Sequence, residues 1–266
     1  MCLILFAQHA HPEYPLVLGA NRDEFYGRPT EPAHWWPEAP RILAGRDTER
    51  GGTWLGVTKG GRFAALTNYR DPSAAAARAP GAPSRGWLVR DFLEAEVPAS
   101  EYLEALAAGR AAAYEGFNLL LGELGGPEPA LWYYSPRAGA APERLGAGVY
   151  GLSNALLDTP WPKVRTGKAA LRASLDGGAA PEPGEVFSLL AHAEPAPDPE
   201  LPDTGVGREL ERALSSRFIV TPAYGTRSST VLLFRRDGTL CFVERTYPAG
   251  VPGEWSEVAA HFRLAE

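Results

Sequence analysis

A cysteine stands at position 2 of the opening stretch MCLILFAQ. Methionine aminopeptidases remove Met1 when the next residue is as small as cysteine, which leaves a thiol and an α-amine on one residue. Together these are a nucleophile and its base. Cys2 is equally the first small hydrophobe of an apolar strand continued by Leu3, Ile4, Leu5 and Phe6, so the chemical role needs partners. Asn21-Arg22-Asp23-Glu24, within GANRDEF, supplies candidates. Taken alone, four polar residues leaving a strand form a solvated loop. If Cys2–Gln8 and Pro15–Ala20 pair as a hairpin, however, the end of the second strand lies beside the start of the first. Arg22 or Asp23 then sits next to Cys2. A carboxylate there holds the α-ammonium or accepts its proton, and a guanidinium lowers the thiol pKa from its usual ~8.5.

Asparagine occurs only at Asn21, Asn68, Asn118 and Asn154. Asn68 follows the apolar run Arg62–Thr67 and Asn154 follows Val149–Ser153, so each serves as a strand terminator. Acyl transfer also needs donors aimed at a developing oxyanion, and a side-chain amide beside a backbone N–H provides them. Asn154, at the end of its strand, is expected outside the packed interior. Gly51-Gly52-Thr53-Trp54-Leu55-Gly56 reads as turn residues before a strand, or as backbone that approaches a substrate closely, with Trp54 beside it. His34-Trp35-Trp36 reads as loop-anchoring core more readily than as a pocket wall. His9 and His11 flank a turn with no third ligand, so no metal site is expected. His192 and His261 are isolated, and Cys241, inside an apolar strand, is expected to be buried and inert.

The chain has 266 residues and a net charge of −6, with a pI near 5.5, which argues against a basic nucleic-acid surface. No apolar run approaches the ~20 residues of a membrane span, and Leu3–Ala7 is too short and lacks the basic flank of a signal peptide. Two cysteines make no disulfide framework, which fits a reducing cytoplasm. Three lysines stand against 23 arginines, and the scarcity of Asn, Gln, Cys and Met fits a hot growth temperature.

These residues must be positioned by blocks of strand and blocks of helix. Strands are expected at Cys2–Gln8 and Pro15–Ala20, then, after a long surface excursion from Arg22 to Gly52 with a short strand near Ile42–Ala44, at Thr53–Thr58 and Arg62–Asn68. An Ala/Pro-rich loop covers Asp71–Pro83. Helices follow at Gly86–Glu96 and Ser100–Tyr114, with strands at Phe117–Leu124, Ala130–Tyr134 and Gly148–Ser153. Further helices at Pro162–Leu175, Gly184–His192 and Arg208–Ser215 precede a last hairpin, Thr230–Arg235 and Leu240–Thr246. This order suggests a layered α+β fold in which helices cover antiparallel sheets, as one domain over residues 1–266.

The segments MCLILF, LVLGANRDEFYGRPT, ILAGRD, GGTWLGVT, GRFAALTNYRDP, YGLSNALLDTPWPK, LPDTGV, ERALSSRFI and YGTRSSTVLLF resemble the NRDE family, whose animal members are called transport and Golgi organisation proteins. The resemblance runs from Met1 to about Thr246. That family in turn looks distantly like the N-terminal-nucleophile hydrolases of the bile-salt hydrolase and penicillin V acylase type. The resemblance implies a four-layer αββα sandwich and a cysteine that attacks a linear amide without a cofactor. Cys2 matches the nucleophile, and Asn21 with Asp23 matches an Asn-x-Asp pattern in which the aspartate holds the nucleophile's amine. Asn68, followed by Tyr69, resembles the pair that lends a backbone N–H to the oxyanion hole, and Asn154 the asparagine that completes it. Arg227 stands in for a late arginine. Ala20 occupies the place of another arginine, which leaves Arg22 to replace it. The implied activity is amide hydrolysis of a small molecule; the alternative is a non-catalytic binding protein for haem, an acyl chain or another apolar ligand.

Overall fold

A computed structural model describes residues 2–72, 81–126, 128–248, 251 and 253–265. Met1, Pro127 and most of the loop expected at 71–83 lie outside the described residues. The chain forms two compact units, each built on one antiparallel sheet. In chain order, β1 (Cys2–Gln8) and β2 (Leu16–Phe25) open the first unit. The second unit takes β3 (Thr30–Trp36), β4 (Ala39–Asp47), β5 (Leu55–Thr58), β6 (Arg62–Asn68), α1 (Gly86–Glu94), α2 (Ala99–Ala107), β7 (Phe117–Glu123), β8 (Ala130–Tyr134) and β9 (Glu143–Arg144). The chain then returns to the first through β10 (Gly148–Leu152), α3 (Pro162–Leu175), α4 (Pro183–Leu190), α5 (Arg208–Ala213), β11 (Tyr224–Phe234), β12 (Thr239–Thr246) and β13 (Ser256–Arg263).

The first sheet has the order β10-β1-β2-β11-β12-β13. Strand β1 is buried along its whole length. One face of the sheet, carrying Leu3, Leu5, Ala7 and Val17, packs against Val164 and Leu171 of α3 and Val186, Phe187 and Leu190 of α4. Two glycines permit this contact. A Cβ on Gly19 would lie 2.6 Å from a Val186 methyl, and one on Gly167 would lie 2.6 Å from Leu5. The second sheet runs β3-β4-β5-β6-β7-β8-β9, and α1 and α2 bury Leu88, Phe92, Leu93, Leu103 and Leu106 against Ile42, Leu66, Leu119 and Leu121.

The fold is therefore α+β with two antiparallel sheets, as the sequence indicates; two sheets and their covering helices are the parts of the expected αββα sandwich. The helix expected at Ser100–Tyr114 spans only Ala99–Ala107, and other elements differ as well. The excursion from Arg22 to Gly52 contains two paired strands, β3 and β4, because Trp36 is a core residue whose indole N–H donates to the Ala44 carbonyl. Strand β11 begins at Tyr224, six residues before the expected start at Thr230. The C-terminal β13 is not visible from hydrophobicity because its residues are exposed or only half-buried. Among the described residues no helix is long and apolar enough to cross a membrane.

Candidate active site

Cys2 opens β1, and the antiparallel register sets it directly opposite Arg22 of β2. Cross-strand partners share a face, so thiol and guanidinium stand on the same side of the sheet. The Asn21-Arg22-Asp23-Glu24 run is strand and not loop, a correction with a physical cause. On its other edge β11 pairs Ser229 with Asn21, Ser228 with Arg22 and Thr226 with Asp23, leaving Arg227 as a bulge. The hydroxyls of that partner strand meet the polar side chains that would otherwise exclude the run from a sheet.

Alternation turns Asn21 and Asp23 toward the helix-covered face. The Asn21 amide donates to the carbonyls of Leu190, 3.1 Å, and Arg217, 2.7 Å. Its Oδ1 accepts from Ser229, whose hydroxyl in turn accepts from Tyr247. Asn21 thus ties β2 to α4 and to the segment before β11. Asp23 is 1% exposed. Its Oδ1 accepts from the Thr226 hydroxyl at 2.7 Å, that hydroxyl accepts the Ile219 N–H, and Tyr224 donates to the Asp23 carbonyl. Burial pushes the Asp23 carboxyl above its usual range, against the pull of Lys163 first and then of the chain-terminal ammonium, Thr226 and Arg22. Burial likewise lifts the Cys2 thiol; the terminal ammonium, Arg22 and the Asp23 N–H oppose the rise and the Asp23 carboxylate adds to it.

Strand β10 flanks β1 on the other side, and the residues after it close on Cys2. The Ser153 hydroxyl donates to the Cys2 carbonyl at 3.1 Å and lies 3.3 Å from Asn154 Oδ1. Asn154 is 1% exposed, which corrects the expectation of a side chain outside the interior. The loop is folded back by Asp158, a non-glycine residue at φ 60. The Asp158 carboxylate accepts from the Gly151 N–H at 2.8 Å and pairs with Lys168 at 2.7 Å, while its own N–H donates to the Gly151 carbonyl.

Arg227 donates to the Phe25 carbonyl at 2.9 Å. Burial and then the neighbouring Arg22 hold its guanidinium below the usual arginine range. Cys2, Arg22, Asp23, Asn154 and Arg227, with Asn21, therefore belong to the first unit, whereas Asn68, Tyr69 and Trp54 belong to the second. Asn68 ends β6 opposite Phe117. The Tyr69 N–H donates to the Gly116 carbonyl at 3.0 Å, and the Trp54 carbonyl accepts from Leu66 at 2.8 Å. Asn118, the fourth asparagine, is a cross-strand tie between Thr67 and Tyr133.

Both ring nitrogens of His11 are engaged, with the Ala179 carbonyl and the Glu13 N–H. Cys241 is only half-buried, not buried: its Sγ lies 3.9 Å from His261 of the exposed β13. Burial, with Glu182 adding to it, still lifts that thiol to about 11. Sequence reasoning missed Lys163, Ser153, Thr226 and Ser229. The signals were a lysine at a helix start in a chain that prefers arginine, and the run of hydroxyls in YGTRSST.

The family model "Transport and Golgi organisation 2" matches residues 1–249. The chain belongs to the Transport and Golgi organisation 2 family. It is 38% identical to the Transport and Golgi organization protein 2 homolog of Bos taurus over 280 residues, covering 99% of each chain. The Homo sapiens homolog is also 38% identical, with the same coverage. Among solved structures, the Caenorhabditis elegans N-acylethanolamine-hydrolyzing acid amidase (NAAA) ortholog is 12% identical and has a TM-score of 0.49 over 87% of this chain and 92% of that one.

Proposed function

We propose that the protein is a cysteine N-terminal-nucleophile amidohydrolase acting on a linear, non-peptide C–N bond. The observation that carries this reading is the convergence on Cys2 of three neighbours: Arg22 across the strand pair, Asp23 beside it, and the Ser153–Asn154 turn bonded to its carbonyl. With Met1 removed, Cys2 Sγ attacks the amide carbon and its proton passes to the α-amine, which Asp23 holds. The Asn154 amide nitrogen stabilises the oxyanion. The C–N bond breaks as the α-ammonium protonates the leaving amine. Water then attacks the thioester carbon, the α-amine takes its proton, and the carboxylic acid and free thiol are released.

The kinship with N-terminal-nucleophile hydrolases and the NRDE designation belong to this same proposal. No cofactor takes part. Arg227 is assigned to substrate contact. The test is the intact mass of protein from its native host, followed by acylation with an amide-mimicking electrophile. Loss of Met1 and a single adduct on Cys2 are expected; a dominant species that retains methionine would remove the base and the mechanism with it.

One observation favours the rival, a binding protein for haem, an acyl chain or another apolar ligand. The Cys2 thiol is buried and raised, which suits a structural side chain better than a pre-formed thiolate. Methionine retained together with an unlabelled Cys2 selects this rival.

A further inference from the structure

Asp158 holds a backbone conformation that side-chain-bearing residues rarely take. Its φ is 60, and among the described residues only His9 shares a positive φ without being glycine. Such backbone suits a short polar side chain best, and it persists where the surroundings over-determine it. Here the surroundings do so with three bonds. Asp158 Oδ1 accepts from the Gly151 N–H at 2.8 Å and from Lys168 Nζ at 2.7 Å, and the Asp158 N–H donates to the Gly151 carbonyl at 2.8 Å. Gly151 can take part because it lacks a side chain: a Cβ there would lie 2.8 Å from a Val164 methyl and 3.0 Å from the Lys168 stem. Gly151 belongs to β10, opposite Leu5 of β1, and Lys168 belongs to α3. Both ends of the segment 151–158 are therefore fastened to regular elements of the first unit, and Ser153 and Asn154 lie between the fastenings. No step of the chemistry above uses Asp158 or Lys168.

We propose that Asp158 is a positioning residue of the Cys2 site: its bonds to Gly151 and Lys168 clasp the segment that carries Asn154 and hold that amide beside Cys2. For its catalytic consequence this rests on the reading of Cys2 as nucleophile and Asn154 as oxyanion donor. Such a donor works because its place is fixed before the charge develops. Asn154 has no helix or strand of its own to fix it. Its place is set by how the two ends of its segment are held and by the Ser153 bond to the Cys2 carbonyl. Asp158 closes the segment onto β10, and Lys168 anchors the same carboxylate oxygen from α3. Asp158 therefore acts through Asn154, with no contact to the reacting atoms.

The experiment compares variants of the full chain by labelling of processed Cys2 with an acylating electrophile and by hydrogen exchange of the peptide spanning residues 151–158. Asp158→Gly removes the carboxylate and accepts the positive φ, so it isolates the clasp from backbone strain. It is expected to slow labelling and to speed exchange about tenfold or more, with alkylation of Cys241 unchanged. Asp158→Asn keeps an oxygen for the Gly151 N–H and is expected to recover most of both. A residue that acts through Asn154 has a further signature: adding Asn154→Ala to Asp158→Gly slows labelling no more than Asn154→Ala alone. Wild-type labelling in Asp158→Gly, or losses that multiply in the double variant, would overturn the proposal. Should Asp158→Gly not fold, Lys168→Met decides by the same two readings: smaller losses in the same direction support the clasp, and wild-type values overturn it. If wild-type Cys2 itself does not label, the amidohydrolase reading falls and exchange alone judges the clasp. Faster exchange in Asp158→Gly then leaves it standing, and a wild-type rate overturns it.

Discussion

Cys2 and Arg22 are directly opposed residues of an antiparallel strand pair. The consequence is geometric before it is chemical. Asp23 follows Arg22 within β2, where its register partner is Thr226 of β11. Alternation turns the Asp23 side chain to the helix-covered face and leaves Arg22 on the face of the Cys2 thiol.

Asn154→Ala is expected to separate stability from reactivity. Ser153 keeps its bond to the Cys2 carbonyl, so the loss is that of one buried amide, about 1–3 kcal/mol. Labelling of processed Cys2 by an acylating electrophile should fall ~100-fold or more. Melting curves and labelling rates on one preparation measure both, and a wild-type labelling rate would rule the amide out as the oxyanion donor.

Asp23 predicts a slope of stability with pH. Its folded pKa is raised above 3.8, so between the two values the folded chain holds a proton that the unfolded chain has lost. Stability from this group is fully present below about pH 4 and is lost as pH rises through the folded value. The melting temperature of Asp23→Asn relative to wild type should therefore be more favourable at pH 8 than at pH 4.5. A difference that is the same at both pH values would count against it.

Asn21→Ala should behave in the opposite way to Asn154→Ala. It strands the Leu190 and Arg217 carbonyls and the Ser229 hydroxyl inside the unit, at a cost of about 2–4 kcal/mol. A fall in melting temperature of ~2–4 °C per kcal/mol is expected, with Cys2 labelling close to wild type below the transition. Labelling lost without loss of stability would instead place Asn21 in the chemistry.

Cys241 offers an internal control. With its thiol at about 11, only about one molecule in a thousand is thiolate at pH 8. Alkylation should accelerate roughly tenfold per pH unit up to that value. A pH-independent rate above pH 8 would show that His261 activates the sulfur.

The sequence by itself determined the hairpin that brings Cys2 alongside β2, because two apolar runs joined by His9–Glu13 have one sensible pairing. It also determined the hairpin around Lys59-Gly60-Gly61, the helix at Pro162–Leu175 and the α+β class, all of which rest on local periodicity and turn chemistry. Only the tertiary structure decided that Asn21-Arg22-Asp23-Glu24 is strand. That outcome depends on Ser229 and Thr226, roughly two hundred residues away, offering hydroxyls in register. The burial of Asn154 likewise depends on Asp158 folding a loop against Gly151 and Lys168. Local physics writes strands and turns into the sequence; the partners of buried polar groups are chosen by the fold, since the cost of leaving them without one is set by surroundings that exist only once the chain has packed.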